Sequence, residues 1–380
     1  MYLKATSICL NGRNLKQLII FTYVAFVQVT RILKILELNF AGSWRGGERQ
    51  TLYNGEGFMA AGHQVALVCR KNSPLEARGR AAGFEVFSFK NIPQVIVFLL
   101  GSGRQFDIYH AQTSHILTWC LLTKPIHRRR IIFTRRIDFV PRGLVTRLKY
   151  RLADYRVGIS QAVCRIVEQF SGLSAVLISD IAVPRVPDRQ RAYAWLAEAG
   201  IDRSKKIIAT TAALVQHKDP LTLVLAISLL SKRRDDFIFL HFGQGELDEV
   251  IRAKIIELRL EKIFILCGFL ADVEDMFSVF DLFVMSSEEE GLGSSVLDAF
   301  MYRVPVVATV AGGLADLITA DRALPCPVHD PEALAAGADF LLTNPATAMA
   351  LTENAAIYVQ QYHSAESVTR QYLELTGRLI

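Results

Sequence analysis

From residue 31 onward, the chain alternates short runs of β-branched and aromatic residues with longer amphipathic stretches. This alternation is typical of parallel β-α-β units, in which a helix follows each strand and returns across the sheet. In the first half the stretch 48–62 predicts a helix, since it ends in Gly62, which suits a C-cap. The apolar runs around it predict strands at 31–38, 64–69, 84–88, 107–110, 130–134 and 155–159.

The pattern breaks once and then resumes. Residues 179–190 contain two prolines and several charges, which is typical of an interdomain linker. The apolar runs after it predict strands within 205–214, 237–243, 262–269, 281–287 and 304–310. The sequence therefore predicts an α/β protein with two Rossmann-like parallel-sheet domains facing each other across a cleft. We assign the parts as a first domain at 29–183, a linker at 184–204, a second domain at 205–348, and C-terminal helices at 349–380 that cross back toward the first domain.

Residues 1–28 do not fit this organisation. The stretch 18–29 is apolar for about a dozen residues, fewer than the roughly twenty that span a bilayer, and no small-x-small cleavage site follows it. One explanation is a start-site artefact, because Val29 could come from a codon that also serves as an initiator. We expect the fold to begin directly after this extension.

The charges are uneven along the chain. Lys and Arg exceed Asp and Glu by only six, yet residues 127–151 carry nine Arg or Lys and a single Asp. This stretch fits phosphates, lipid headgroups or an anionic acceptor, and a solvated basic face is the alternative. No nucleic-acid recognition motif accompanies it, so we expect no nucleic-acid partner.

The cysteines help to place the protein in a cell compartment. Six cysteines occur without a C-x-x-C pair, so neither a zinc site nor a disulfide framework is indicated, and a reducing cytosol fits. We therefore expect a cytoplasmic protein, with peripheral binding to the inner face of the cytoplasmic membrane as the variant that the basic stretch suggests.

An acidic cluster marks one strand-to-helix crossing in the second half. Residues 288–290 are three consecutive glutamates after a predicted strand, and Gly291 and Gly293 follow them. Ligands of open α/β sheets bind at the carboxyl ends of strands, and glycines let a backbone approach a ligand while the next helix directs N–H groups at an anion. This pattern predicts a nucleotide-sugar site. Asp298 has capping-box spacing to Ser295, so a purely structural role is the alternative for that acid.

Residues 288–318 resemble the donor-binding region of family 4 retaining glycosyltransferases of the GT-B fold. The family has two acids separated by seven residues; Glu290 matches the first, and Asp298 stands where the second is usually Glu. The resemblance implies that Glu290 contacts the donor sugar and that Asp298 holds the ribose hydroxyls. It also includes Gly291, Leu292 and Gly293 in the donor site.

Two further segments resemble the diphosphate-binding parts of the family. In residues 211–230, Lys218 matches a lysine that binds the diphosphate, while Ala213 replaces the family's arginine. Gly243 and Gly245 match a G-x-G-x-L turn. One cation is therefore missing, and we expect helix N-termini or another basic residue to compensate.

The first half resembles the same family at two loops. Gly46 and Gly47, followed by Glu48, match its glycine loop. His110 matches the first histidine of a D-I-x-H-x-H motif, and Gln112 stands at the second, where His115 is a spatial alternative. The resemblance implies that His110, Gln112 and Glu290 lie at the reacting sugar.

The acceptor is expected to bind in the first half, near the basic stretch. Arg135 and Arg136 suit an anionic saccharide or lipid-linked acceptor, and Asp138 offers a hydrogen-bond acceptor. We therefore predict a hexosyltransferase-like enzyme of cell-envelope glycan synthesis, such as lipopolysaccharide or polysaccharide synthesis. It would use a nucleoside-diphosphate sugar as substrate, with no cofactor. No D-x-D motif occurs, so no metal is expected.

Two alternatives remain open. A catalytically inactive nucleotide-sugar-binding regulator or partner subunit would explain the departures at Ala213, Gln112 and Asp298. An NAD(P)-dependent oxidoreductase is less compatible, because the first half lacks G-x-G-x-x-G and has Arg70 and Lys71 where an NAD enzyme needs an acid.

Overall fold

The computed structural model describes residues 31–377, so the extension 1–28 and the apolar stretch 18–29 lie outside the described residues. From Lys34 onward the chain forms one compact unit. The strands of the first sheet are β1 Lys34–Leu38, β2 Gln64–Arg70, β3 Glu85–Phe89, β4 Ile108–Ala111, β5 Arg130–Arg135, β6 Tyr155–Gly158 and β7 Val176–Leu177. Those of the second are β8 Lys206–Thr211, β9 Phe237–Phe242, β10 Phe264–Gly268, β11 Leu282–Met285, β12 Val306–Thr309 and β13 Leu324–Cys326.

Helices connect these strands and cover both sheets. Most begin at a polar side chain that accepts a hydrogen bond from the first helical turn, such as Ser73, Asn91, Thr113, Ser160, Asp188, Asp219 and Asp330. The α-helices are Gly46–Ala60, Pro74–Ala81, Ile92–Leu100, Ser114–His127, Leu144–Leu152, Gln161–Ser171, Arg189–Glu198, Pro220–Ser231, Asp248–Glu257, Ser294–Met301, Pro331–Thr343, Pro345–Tyr362 and Ala365–Gly377. Short 3-10 helices lie at Ser102–Gln105, Gln216–Lys218, Val273–Val279 and Gly312–Asp316.

Both sheets are parallel and doubly wound. The first has the order β3-β2-β1-β4-β5-β6-β7 and the second β10-β9-β8-β11-β12-β13. Strands such as β9, β11 and β12 are buried along their whole length, which explains their predominantly apolar sequences. The sequence prediction of two Rossmann-like domains is confirmed, and it missed only the short edge strands β7 and β13.

The ends of the second domain extend beyond its sheet. Within the predicted linker 184–204, Arg189–Glu198 is a helix that buries Ala192 and Leu196. The last helix, Ala365–Gly377, packs on the first domain, where the Tyr372 hydroxyl lies 2.9 Å from Thr134 Oγ1. No helix within residues 31–377 is long and apolar enough to cross a membrane.

Candidate functional site

The predicted site residues lie at the two points where the strand order reverses. In the first sheet β1 and β4 are neighbours, and the chain leaves their carboxyl ends toward opposite sides; β8 and β11 have the same relation in the second sheet. The glycine loop follows β1, Gln112 follows β4, Lys218 follows β8 and Glu290 follows β11. Such reversals open a crevice at the carboxyl edge of a sheet, where ligands of this fold class bind.

Lys218 and Glu290 form an ion pair at the second of these crevices. Their side chains are 18% and 15% exposed, so the pair is reachable yet largely desolvated. Two further contacts tie their loops together: the Ser286 hydroxyl donates to the Lys218 carbonyl at 3.0 Å, and the Glu288 amide donates to the His217 carbonyl at 3.0 Å. The loops therefore hold an ammonium and a carboxylate together at the crevice.

Asp138 brings a second carboxylate to this pair from the first domain. Burial raises the pKa of Asp138, and the nearby Glu290 and Glu289 carboxylates raise it further, while Lys218 opposes the shift. Its carboxylate also lies close to the second domain's backbone, since an ideal Cβ on Gly312 would be 3.1 Å from Asp138 Oδ2. The result is a charged cluster to which both domains contribute.

Two helix N-termini also meet here. An ideal Cβ on Gly46, the first residue of its helix, would lie 3.4 Å from Ser294 Oγ, and Ser294 begins the helix that ends at Met301. The first N–H groups of a helix have no intrahelical partner and favour an anion. Each domain therefore offers unpaired helix N–H groups to an anion the size of phosphate. Gly47 has no atom within 4 Å of its ideal Cβ, which leaves open space beside it.

Asp298 is not part of a capping box. The N-cap of its helix is Gly293, and the Ser295 hydroxyl donates to the Thr211 carbonyl at 2.8 Å. The capping box of Ser295 and Asp298, which the sequence offered as the structural alternative, is therefore wrong. Instead, the buried Asp298 accepts a hydrogen bond from Arg49 Nη2 at 2.9 Å, across the domain boundary.

Arg49 is an interdomain cation that the sequence analysis missed. It lies on the helix Gly46–Ala60, and its Nη1 also reaches Glu274 Oε1 at 3.3 Å. Burial by itself lowers the pKa of Arg49, but the Asp298 carboxylate raises it above the ordinary value, so the guanidinium stays charged. Nothing in the sequence pattern linked Arg49 to Asp298, because their contact joins distant parts of the chain.

The predicted glycines serve close backbone packing. An ideal Cβ on Gly291 would lie 2.2 Å from the Arg136 carbonyl oxygen, so this glycine lets a backbone segment of the first domain approach closely. The contact of Gly291 with the donor stays a prediction. Gly243 and Gly245 also pack closely against backbone. An ideal Cβ on Gly243 would lie 1.9 Å from the Ala212 carbonyl oxygen, and one on Gly245 would lie 2.2 Å from the Leu214 carbonyl oxygen.

The two other predicted donor-loop residues, Gly293 and Leu292, shape the backbone and fill the core. Gly293 has a left-handed backbone with φ of +102°, which allows the sharp entry into the helix at Ser294. The Leu292 side chain is buried in the core and does not line the crevice.

His110 lies inside the first domain. It is fully buried, with Nδ1 2.8 Å from Glu37 Oε1 and Nε2 2.8 Å from Thr134 Oγ1. Both ring nitrogens are thereby engaged, and Thr134 continues the chain of hydrogen bonds to Tyr372 on the last helix. The structure corrects the predicted contact with the sugar: His110 belongs to a buried network. The sequence signal for this buried network was Glu37, a lone acid within the apolar run of β1.

Gln112 connects this network to the crevice. Its amide nitrogen donates to Glu37 Oε2 at 2.6 Å, and its amide oxygen accepts from Arg136. The alternative residue His115 is exposed on the helix Ser114–His127, where its ring contacts Trp119, so it does not take the place of Gln112.

The two predicted acceptor-binding arginines are engaged within the protein. Arg135 is buried and donates to the Tyr150 hydroxyl and the Phe139 carbonyl, which corrects its predicted contact with an acceptor. Arg136 Nε donates to Asp180 Oδ1 at 3.0 Å, and its side chain is 11% exposed. Of the three predicted acceptor residues, Asp138 is the one that the structure brings to the Lys218–Glu290 pair. Within residues 31–377 no group of three or more His, Cys, Asp or Glu side chains is arranged to hold a metal ion.

Comparisons with known proteins point to glycosyltransferases. Residues 194–357 match the family model described as glycosyl transferases group 1. A 2-deoxystreptamine glucosyltransferase of Streptomyces kanamyceticus is 30% identical over 36% of this chain and 38% of its own length. An N-acetyl-alpha-D-glucosaminyl L-malate synthase of Bacillus anthracis is 26% identical over 46% of each. The matched regions therefore span less than half the length of these curated relatives.

Solved structures match over most of the chain. Anabaena HepE in complex with UDP and glucose has a TM-score of 0.79 at 16% identity, covering 91% of this chain and all of that one. A glycosyltransferase of Rickettsia africae has a TM-score of 0.78 at 19% identity, covering 91% and 98%. These matches confirm the GT-B fold. The match of residues 194–357 to the group 1 model confirms the resemblance to glycosyltransferases.

Proposed function

We propose that this GT-B protein, whose residues 194–357 match the group 1 glycosyltransferases, is a retaining glycosyltransferase. It would move a sugar from a nucleoside-diphosphate donor to a hydroxyl of a saccharide or lipid-linked acceptor, in cell-envelope glycan synthesis. The observation that carries the proposal is the Lys218–Glu290 pair beside the start of the helix Ser294–Met301, with Asp138 facing it.

Each group has a role in this proposal. The helix N–H groups and Lys218 bind the donor diphosphate and stabilise the charge of the leaving group as the glycosidic bond breaks. Glu290 accepts hydrogen bonds from the donor sugar. Asp138 accepts one from the acceptor hydroxyl, whose proton passes to the leaving phosphate on the same face of the sugar. No step in this scheme requires a metal.

Asp298 is the proposed ribose contact, and Arg49 orients it. Arg49 donates to Oδ2, and no side chain or backbone N–H among residues 31–377 donates to Oδ1, so Oδ1 can accept from a ribose hydroxyl. Asp298→Asn should therefore weaken affinity for the nucleoside diphosphate, measured by titration calorimetry. Nucleotide affinity equal to wild type in a folded Asp298→Asn protein contradicts this role.

UDP-sugars are the donors to test first, because HepE of the same fold was crystallised with UDP, and with UDP-glucose. UDP, GDP and ADP are compared by thermal shift, and nucleotide release is then measured with sugar donors and a detergent extract of envelope glycolipids. We expect UDP to raise the melting temperature and UDP release to persist in EDTA. Lys218→Ala should lose both the shift and turnover, whereas Lys206→Ala should not, since Lys206 pairs with Asp281 at the opposite end of β8. Turnover that EDTA abolishes and magnesium restores would refute the metal-free scheme.

A second candidate is a nucleotide-sugar-binding partner subunit without turnover. Ala213 lies exposed where the resembling family has a phosphate-binding arginine, and Asp298 is already ion-paired, which favours this reading. A UDP-dependent thermal shift without UDP release from any donor would support it over the enzyme.

A further inference from the structure

An apolar surface lies on the first domain, between Asp138 and the end of the helix Leu144–Leu152. Nine large hydrophobic side chains within residues 122–152 are exposed, a dense group for a stretch under a tenth of the chain. Leu144 is 82% exposed and Val145 75%. We call six of them the docking face: Phe139, Val140, Leu144, Val145, Leu148 and Leu152.

Helical geometry gathers the docking face on one side. Residues of an α-helix are about 100° apart, so Leu144, Leu148 and Leu152 form one stripe, with Val145 beside it. Tyr150, on another side of the same helix, is fully buried and packs into the domain. The helix therefore presents an apolar stripe outward while it is anchored by its opposite side, as helices that lie in a membrane interface do.

Unpaired cations border this stripe. Arg147 and Arg151 lie along one edge of the helix, and Arg142 and Arg128 lie before it and at the end of the helix Ser114–His127. All four are exposed, and none makes an ion pair with a carboxylate among residues 31–377. By contrast, Arg130 and Lys124 nearby are both paired with Asp154.

We propose that the docking face binds an anionic membrane surface. Exposed leucines bordered by free guanidinium groups complement acyl chains beneath negatively charged headgroups, and both contributions strengthen binding. A second copy of the chain is a poorer partner for this face, because face-to-face packing would bring the unpaired arginines of both copies together.

The docking face is continuous with the crevice. Phe139 and Val140 directly follow Asp138, whose carboxylate reaches the Glu290 loop: an ideal Cβ on Gly312 would lie 3.1 Å from Asp138 Oδ2 and 2.6 Å from the Glu290 carbonyl oxygen. Membrane binding would therefore hold the acceptor side of the crevice at the lipid surface. This step rests on the proposed function. It implies that the acceptor hydroxyl belongs to a membrane-anchored molecule.

The test is sedimentation of the full chain with vesicles, measured without donor so that it does not depend on transfer activity. Vesicles of phosphatidylcholine with phosphatidylglycerol are compared with phosphatidylcholine alone. Leu144→Glu/Leu148→Glu should reduce partitioning into anionic vesicles by at least roughly tenfold, as should Arg147→Gln/Arg151→Gln. The matched controls are Val250→Glu/Ile256→Glu and Lys232→Gln/Arg233→Gln, which change exposed aliphatic and basic residues of the second domain.

The outcomes separate the explanations. Selective loss in both docking-face variants, with unchanged melting temperatures, supports the proposal. Unchanged vesicle binding in these variants overturns it and assigns any binding to another part of the chain, such as the apolar stretch 18–29. Absent vesicle binding, together with a dimer in sedimentation velocity that Leu144→Glu/Leu148→Glu dissociates, overturns it in favour of self-association.

Discussion

The two domains place their candidate residues differently. In the second domain, Lys218 and Glu290 are partly exposed at the crevice and contact each other. In the first domain, His110 is fully buried and Arg135 is 5% exposed. Both ring nitrogens of His110 and both Nη atoms of Arg135 are hydrogen-bonded to other protein groups. Similar motif positions therefore place charged groups at the crevice in one domain and inside the protein in the other.

The difference follows from what surrounds each strand end. Lys218 and Glu290 follow the adjacent strands β8 and β11, so the sheet itself brings their loops together. His110 is still within β4, where neighbouring strands supply Glu37 and Thr134 and the last helix supplies Tyr372. A polar side chain within a central strand must find such partners, because burial without them costs free energy.

The largest effect is expected from Arg49→Met. This change leaves the Asp298 and Glu274 carboxylates without their buried cation, and breaking such a pair costs about 3–5 kcal/mol of unfolding free energy. Urea unfolding measures the loss. The control is Arg191→Met, since Arg191 also bridges two acids but is 56% exposed, so about 1 kcal/mol or less is expected. Equal losses in the two variants would mean that the buried interdomain pair stabilises the fold no more than the exposed pair does.

His110→Leu should lower the unfolding free energy by about 3 kcal/mol, because it leaves Glu37 and Thr134 short of partners in the interior. His115→Leu is the exposed control and should stay within about 0.5 kcal/mol of wild type. Urea unfolding is compared with the transfer rate per folded molecule. A stable His110→Leu protein with abolished transfer would restore His110 to the reacting sugar and remove the contrast between the domains.

Glu290→Gln should mainly slow transfer, since losing a charged hydrogen bond costs about 1.5–3 kcal/mol, or roughly ten- to a hundredfold in rate. Its melting temperature should change little. The neighbouring exposed residue gives the control Glu289→Gln, with near-normal turnover expected. Steady-state UDP release decides the matter, and equal rates in both variants would contradict a sugar contact at Glu290.

The smallest effect is expected from Asp138→Asn on stability. Because burial and nearby carboxylates raise the pKa of Asp138, the folded protein holds this proton more tightly than the unfolded chain. Wild-type stability therefore falls as the pH rises from the ordinary aspartate pKa through the folded value. Asp138→Asn should match wild type in acid and melt slightly higher at pH 7, while transfer decreases. A variant that melts lower at pH 7 than wild type would indicate that the charged carboxylate stabilises the fold.

Local patterns were sufficient for the secondary structure and for the loops at the crevice. The apolar runs predicted the strands because a central parallel strand is buried on both faces, and β7 and β13 escaped because they have two and three residues. The acids and glycines at 288–293 marked the strand-to-helix crossing at which the Lys218–Glu290 pair lies, and Gly291 packs against the Arg136 carbonyl there.

The sequence by itself determined the two doubly wound domains and the strand ends where Lys218 and Glu290 meet, because hydrophobic periodicity and turn residues act over a few neighbours. Only the tertiary structure decided that Arg49 holds Asp298, that His110 is closed off by Glu37 and Thr134, and that the leucines of Leu144–Leu152 face outward. Partners of a buried charge, and the side of a helix that packs inward, depend on contacts between residues far apart in the chain. No local pattern contains those contacts.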